Sequence, residues 1–164
     1  MVLMPAVETE DVLDMIDSTH QVGGSADGQE SRDALFGKLF GYMAVVQGNR
    51  LTKKDGPLAA RLVKSAVELS QQKSFLPEAC SKVICQILDV MGPTGVEKHC
   101  LSPLQPLINV SPRQCTAAGL AVILHLEHKK LVKDVTAALP LWVGIQTPIM
   151  QVWLLLWPFF LPAA

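Results

Sequence analysis

At 164 residues the chain has room for one ordinary domain or for a section of a larger assembly. Hydrophobic residues make up 49% and charged residues 18%, which excludes wholesale disorder, and the low aromatic content of 5% suits helix-on-helix packing better than a β-sandwich. The net charge of −1 and a pI near 6.4 exclude the excess of Lys and Arg that attracts a phosphate backbone, so this chain by itself is expected to bind DNA poorly.

The first segment, "ETEDVLDMIDST" at 8–19, reads as a short amphipathic helix. Val12, Leu13 and Ile16 share one face, and Asp11, Asp14 and Asp17 the other. The acidic amino-terminal stretch has neither the basic start nor the long apolar run of a secretory signal. Its four cysteines, Cys80, Cys85, Cys100 and Cys115, are therefore expected as reduced thiols in the cytosol or nucleus. A Gly- and Ser-rich connector follows at 20–31.

"RDALFGKLFGYMAVVQGNRL" at 32–51 is the strongest helical signal. Ser31 stands where an N-cap belongs, and Asp33 suits the positive end of the helix. Leu35, Phe36, Leu39, Phe40, Met43 and Val46 recur at helical spacing, with Tyr42 and Val45 widening the stripe, so the helix is expected to be buried on most sides. Gly37 and Gly41 each cost about 1 kcal/mol against Ala, a cost that close approach of a neighbouring helix would explain. Gly48 is expected to end the helix as its C′ residue.

Pro57 opens a second helix over 57–72, with an inner stripe of Leu58, Leu62, Ala66 and Leu69. A third, over 76–91, carries Cys80, Val83, Ile84, Ile87, Leu88 and Met91 at regular spacing, and Gly92-Pro93 is expected to close it. The proline-punctuated "LSPLQPLINV" reads as a connector. Ser111, Pro112 and Gln114 form a capping-box pattern before a helix marked by Ala117, Leu120, Ala121 and Leu124 that reaches His128. A last amphipathic piece, "LVKDVTAAL", ends at Pro140. Every element is helical, and no run alternates with period two. The expectation is an all-α fold, a partial armadillo- or HEAT-like stack of antiparallel helix hairpins, although spacing alone does not give a clean repeat.

From Val135 to Ala164 no residue is charged, and Trp142, Trp153 and Trp157 sit among four prolines. Four readings compete: a buried helix of a larger stack, a product of a shifted reading frame, a membrane anchor or interfacial helix, and a hydrophobic docking motif. The run has the roughly 20 residues a spanning helix needs, but prolines at this density break a lone helix in lipid.

No constellation points to catalysis. His99-Cys100, His125 and His128 invite zinc, yet Cys80 and Cys85 stand about 140° apart on a helix and no Cys pair closes the site. The triplet Asp11, Asp14 and Asp17 invites a divalent cation, but a solvated acidic face is the better account. Lys53-Lys54 and "HKKLVK" are too sparse for a nucleic-acid patch. No catalytic residue, cofactor site or metal site is assigned.

The block at 32–51 resembles the amino-terminal signature of the Myb-binding protein 1A family, also called DNA polymerase V or DNA polymerase phi. The resemblance lies in Arg32-Asp33, the Leu-Phe-Gly-x-Leu-Phe-Gly run at 35–41, and the Gly-x-Arg-Leu at 48–51. It extends over about residues 28–130, whereas 140–164 look unlike the family. The resemblance implies long nucleolar proteins with an armadillo-like helical stack and a basic carboxyl-terminal tail, acting in ribosomal RNA gene transcription and ribosome production. Transcription factors and nucleolar proteins are the implied partners. Ribosomal DNA chromatin would be contacted through the full-length protein and only weakly through this chain. The family's polymerase name finds no Asp-x-Asp metal-binding motif here.

Three regions are therefore expected: a short acidic helix and linker at 1–30, a helical-repeat segment at 31–137, and the apolar tail at 138–164. The expected function is that of a non-enzymatic scaffold in the nucleus and nucleolus. The alternative is a tail-anchored membrane protein whose helical domain faces the cytosol.

Overall fold

The structure is a computed structural model that describes residues 8–19, 32–110 and 114–133. Among these residues the fold is all-α, as composition and periodicity indicate. The helices are α1 (Thr9–Thr19), α2 (Arg32–Gln47), α3 (Gly56–Ser70), α4 (Pro77–Gly95), α5 (Leu101–Ile108) and α6 (Ala117–His128), with a π-turn at Val96–Cys100.

The helices pair as three antiparallel hairpins. In the first, Ile16 meets Gly41 and Asp17 meets Tyr42, while Thr9 at the other end reaches the Arg50 carbonyl at 3.1 Å. The hairpins stack in register. Asp14 and Asp17 of α1 face Arg61 of α3, and His99, just before α5, packs on Gly56 at the start of α3. In the second layer, Phe36 of α2 stacks on Phe75 just before α4, Asp89 of α4 meets His125 of α6, and Glu97 accepts the Lys133 amide. One layer thus holds α1, α3 and α5 running parallel, and the other holds α2, α4 and α6. The first-layer helices begin at Thr9, Gly56 and Leu101, a repeat of roughly 45 residues that falls in the HEAT and armadillo range.

The core lies between the layers and centres on α4, where Cys80, Val83, Ile84, Ile87, Leu88 and Met91 are all buried as their spacing predicts. Helix α3 contributes Ala59, Leu62, Val63, Ala66 and Val67, and α1 adds Leu13.

Several expectations are corrected. Helix α2 is not buried on most sides: Leu35, Leu39, Tyr42, Val45 and Val46 face the core, whereas Phe40 is 59% exposed. Gly41 does admit a neighbour, since a Cβ there would lie 2.9 Å from Ile16 Cδ1, but Gly37 is simply exposed. The left-handed residue that ends α2 is Asn49 (φ 53), not Gly48. The Asn49 amide donates to Val46 and the Arg50 amide to Val45, the paired bonds of a Schellman motif. Lys130 (φ 50) ends α6 in the same way, with the Leu131 amide on the Leu126 carbonyl.

Gly92 (φ 65, ψ 179) does break α4, but Pro93 restarts a helical course that passes through the π-turn into α5. The segment read as a connector is therefore largely helical over Leu101–Ile108. Pro103 falls in the first turn, where its missing N–H is no loss, and the wider π-turn before it relaxes the incoming backbone.

The N-cap of α6 is Thr116, whose Oγ1 accepts the Gly119 amide at 3.1 Å. The buried residues of α6 are Ala118, Gly119, Val122, Ile123, Leu124 and Leu126; of the four residues that marked this helix, Leu124 is buried, Leu120 and Ala121 are half-buried and Ala117 is exposed. Ser31, the 20–31 connector, Ser111 and Pro112 fall outside the described residues, as do Asp134 and everything after it.

Candidate interaction surface

The acidic triplet of α1 is exposed at Asp11 and Asp14, as a solvated face would be, but Asp14 and Asp17 are also paired with a neighbouring helix. Arg61 Nη2 of α3 bridges Asp14 Oδ1 at 2.6 Å and Asp17 Oδ2 at 2.8 Å. The Tyr42 hydroxyl of α2 donates to Asp17 Oδ1 at 2.8 Å, and Lys38 Nζ stands 3.6 Å from the same oxygen. One carboxylate thereby joins three helices, and only Asp11 of the triplet remains exposed without a role in this cluster. Burial by itself would raise the Asp17 pKa. Hydrogen bonds from Arg61 and Tyr42 and the charges of Lys38 and Arg61 outweigh it and hold the carboxyl below its ordinary value. The Tyr42 phenol is pushed up, first by burial and then by the adjacent carboxylate. Arg61 is raised by its bonds to Asp14 and Asp17.

Arg61 also lies between two open grooves of the first layer. One, of about 580 Å³, separates the starts of α1 and α3 and carries Glu8, Glu10 and Asp55 against Lys54 and Arg61. The other, of about 590 Å³, lies between α3 and α5, with Ala60, Val67, Pro103 and Pro106 set among Lys64, Glu68 and Gln71. Both mix charges of either sign, which gives no field suited to an anion.

The histidines and cysteines take separate places. His99 packs on Gly56, and His125 Nε2 is 2.9 Å from Asp89 Oδ1, while His128 is exposed. Cys85 lies one turn before Asp89, the arrangement closest to a nucleophile beside a His–Asp pair. Burial and the Asp89 charge push its thiol up to about 12, opposite to the activation a nucleophilic thiolate needs. Burial likewise pushes Cys80 up to about 12 and Cys100 up to about 11. All four cysteines are free thiols. Among the described residues no group of three or more His, Cys, Asp or Glu converges to hold a metal ion. Lys53 and Lys54, like Lys129, Lys130 and Lys133, stand exposed.

At the edge where α2 begins and α4 follows its turn, an aromatic patch reaches solvent. Phe36 stacks on Phe75 at 5.4 Å and on Phe40 at 6.0 Å between ring centroids, and the Arg32 guanidinium lies over Phe36 and Phe75 at 5.6 and 5.3 Å. Phe75 is 39% exposed. The spacing of Phe36 and Phe40 marked them as core. Phe40 escapes because the buried line of α2 runs through Leu35, Leu39, Tyr42, Val45 and Val46, and helical period does not indicate where a neighbour stops.

No helix of the described residues is long and apolar enough to cross a membrane, and the uncharged run that suggested an anchor lies beyond them. No solved structure matches the chain. Over 117 residues the chain is 26% identical to the rDNA transcriptional regulator pol5 of Schizosaccharomyces pombe, an alignment that covers 70% of this chain and 12% of that protein. The chain thus corresponds to a small part of that relative's length. The model of the DNA polymerase phi family matches residues 2–152, well beyond the 28–130 of the sequence resemblance and into the stretch from 140 onward that looked unlike the family. With nearly its whole length matched, the chain belongs to the DNA polymerase phi family.

Proposed function

We propose that this chain is a non-enzymatic helical scaffold within a nucleolar regulator of ribosomal RNA gene transcription, with a role in ribosome production. The observation that carries the reading is the 26% identity, across most of the described stack, to a protein named as an rDNA transcriptional regulator. The geometry is of a kind with it. A stack of hairpins offers grooves and edges rather than a single cleft, and such surfaces recruit partners over many side chains. On this reading transcription factors and nucleolar proteins bind the grooves around Arg61 and the aromatic edge. Contact with ribosomal DNA chromatin is left to other parts of the full-length protein, since this chain carries a net charge of −1.

The test is depletion of the full-length protein followed by rescue with wild type or with Phe40→Ser/Phe75→Ser, reading nascent pre-ribosomal RNA by pulse labelling. Depletion is expected to lower pre-ribosomal RNA synthesis, and the double variant to rescue it incompletely while retaining fewer nucleolar proteins in affinity purification. Unchanged synthesis on depletion would overturn the reading.

A further inference from the structure

The aromatic edge of the second layer combines open apolar surface with one unpaired charge. Of the three exposed large hydrophobic side chains among the described residues, Phe40 and Phe75 belong to this edge, and Phe36 stacks on both. The outer side of α2 extends the same ground: Gly37, Phe40, Ala44 and Gln47 are exposed, and no residue from Leu39 to Asn49 is charged. The solvent side of a helix is ordinarily polar, and an exposed apolar side rimmed by charge is the form that interaction sites take.

Arg32 supplies the charge. Its exposed guanidinium lies over Phe36 and Phe75 and has no ion-pair partner among the described residues, whereas Lys38 and Arg61 are both paired with carboxylates. The rings hold the guanidinium in place and leave its N–H donors for an acceptor, for which a carboxylate is the matching group. Asp33 does not fill that role, since it is turned about 100° from Arg32 around α2. Near the edge the other charges are mixed, Asp33 and Glu78 against Lys73, so there is no continuous positive track for the phosphates of a nucleic-acid strand. An Arg among exposed aromatic rings is instead the composition of protein–protein hot spots.

We infer that the edge formed by Arg32, Phe36, Phe40 and Phe75 docks an acidic–apolar segment of a partner protein, with a carboxylate on the Arg32 guanidinium and large apolar side chains on Phe40 and Phe75. Segments that alternate acidic and apolar residues have this chemistry. The inference deepens the reading of the chain as a binding scaffold and rests on it, but binding at this edge is measured separately from any effect on ribosomal RNA synthesis.

The experiment titrates the full chain into a fluorescein-labelled peptide that alternates Asp with Leu and Phe, and reads anisotropy at low salt. Saturable binding is expected, about tenfold weaker when Asn replaces Asp in the peptide, a change that leaves the protein untouched. Phe40→Ser/Phe75→Ser is expected to weaken binding by about tenfold or more. Arg32→Glu is expected to lose the Asp peptide and to take a counterpart with Lys in place of Asp, with circular dichroism checking helix content in both variants. No binding, equal affinity for the Asp and Asn peptides, or failure of the charge exchange would overturn the inference. So would preference for an oligouridylate over the peptide, or a dimer of the chain that Phe40→Ser/Phe75→Ser dissociates, since either gives the edge a different occupant. Should the peptide bind as expected while depletion leaves pre-ribosomal RNA synthesis unchanged, the docking edge stands and the transcriptional reading alone falls.

Discussion

Arg61 of α3 donates to Asp17 of α1 at 2.8 Å across 44 residues of chain, and that contact ties the first hairpin to the second. Close packing between α1 and α3 is sparse, so the bridge from Arg61 Nη2 to Asp14 and Asp17 carries much of their association. Arg61→Ala is expected to lower stability by about 1 kcal/mol, the scale of a part-exposed network. It should accelerate amide exchange in α1 well above that in α4. Arg61→Lys should recover part of that loss, because both carboxylates are met by one Arg61 nitrogen and an ammonium carries enough donors to bridge two oxygens. Urea denaturation with hydrogen exchange checks both.

The same cluster sets an acid limb. Asp17 has a folded pKa below its ordinary value of 3.8, so its stabilising contribution is complete above that value and is lost as pH falls through the lower folded pKa. Asp17→Asn should flatten the stability profile below about pH 4. A wild-type profile as flat as that of the variant would contradict the sign.

On the alkaline side the buried thiols act in the opposite sense. Their folded pKa values, about 12 for Cys80 and Cys85 and about 11 for Cys100, lie above the ordinary 9.0. The stability tied to them is complete below pH 9 and is lost as pH rises toward 11 to 12. Maleimide at neutral pH should label the half-buried Cys115 first, and Cys80 and Cys100 only at the rate at which the stack opens.

The two glycines of α2 should separate cleanly. Gly37 is exposed, so Gly37→Ala is expected to raise stability by about 0.5–1 kcal/mol through helix propensity alone. Gly41→Ala should gain less or turn negative, because its Cβ would press on the Ile16 side chain at 2.9 to 3.2 Å. Thermal denaturation of the pair provides the comparison.

Ile84 is fully buried at the centre of α4, and Ile84→Ala is expected to cost about 2–5 kcal/mol. Phe40→Ala, by contrast, should stay near neutral, since the ring is mostly in solvent.

Much of this fold was legible residue by residue. The stripe of α4 was read correctly because α4 has neighbours on both flanks and a regular 3.6-residue pattern. The residues that marked α6 include buried Leu124 but also exposed Ala117, because apolar residues stand on more than one side of that helix and periodicity does not rank the sides. The segment around Pro103 and Pro106 looked like a connector because proline counts against helix interiors, yet α5 holds Pro103 in its first turn and Pro106 in its interior. The ion cluster left no local trace: the partner of Asp14 and Asp17 lies on another hairpin, so a row of three acidic residues looked merely solvated. The aromatic edge was hidden for a related reason, since Phe75 belongs to a turn and joins Phe36 only once α2 and α4 are side by side.

The in-register layering has an electrical consequence. Each helix bears about half a positive charge at its amino end and half a negative charge at its carboxyl end. Because one layer runs against the other, every rim of the stack sets amino ends beside carboxyl ends, and the macrodipoles oppose pairwise. Neither rim carries a backbone field of its own, so any partner that distinguishes one rim from the other does so through side chains such as Arg32 and Phe75.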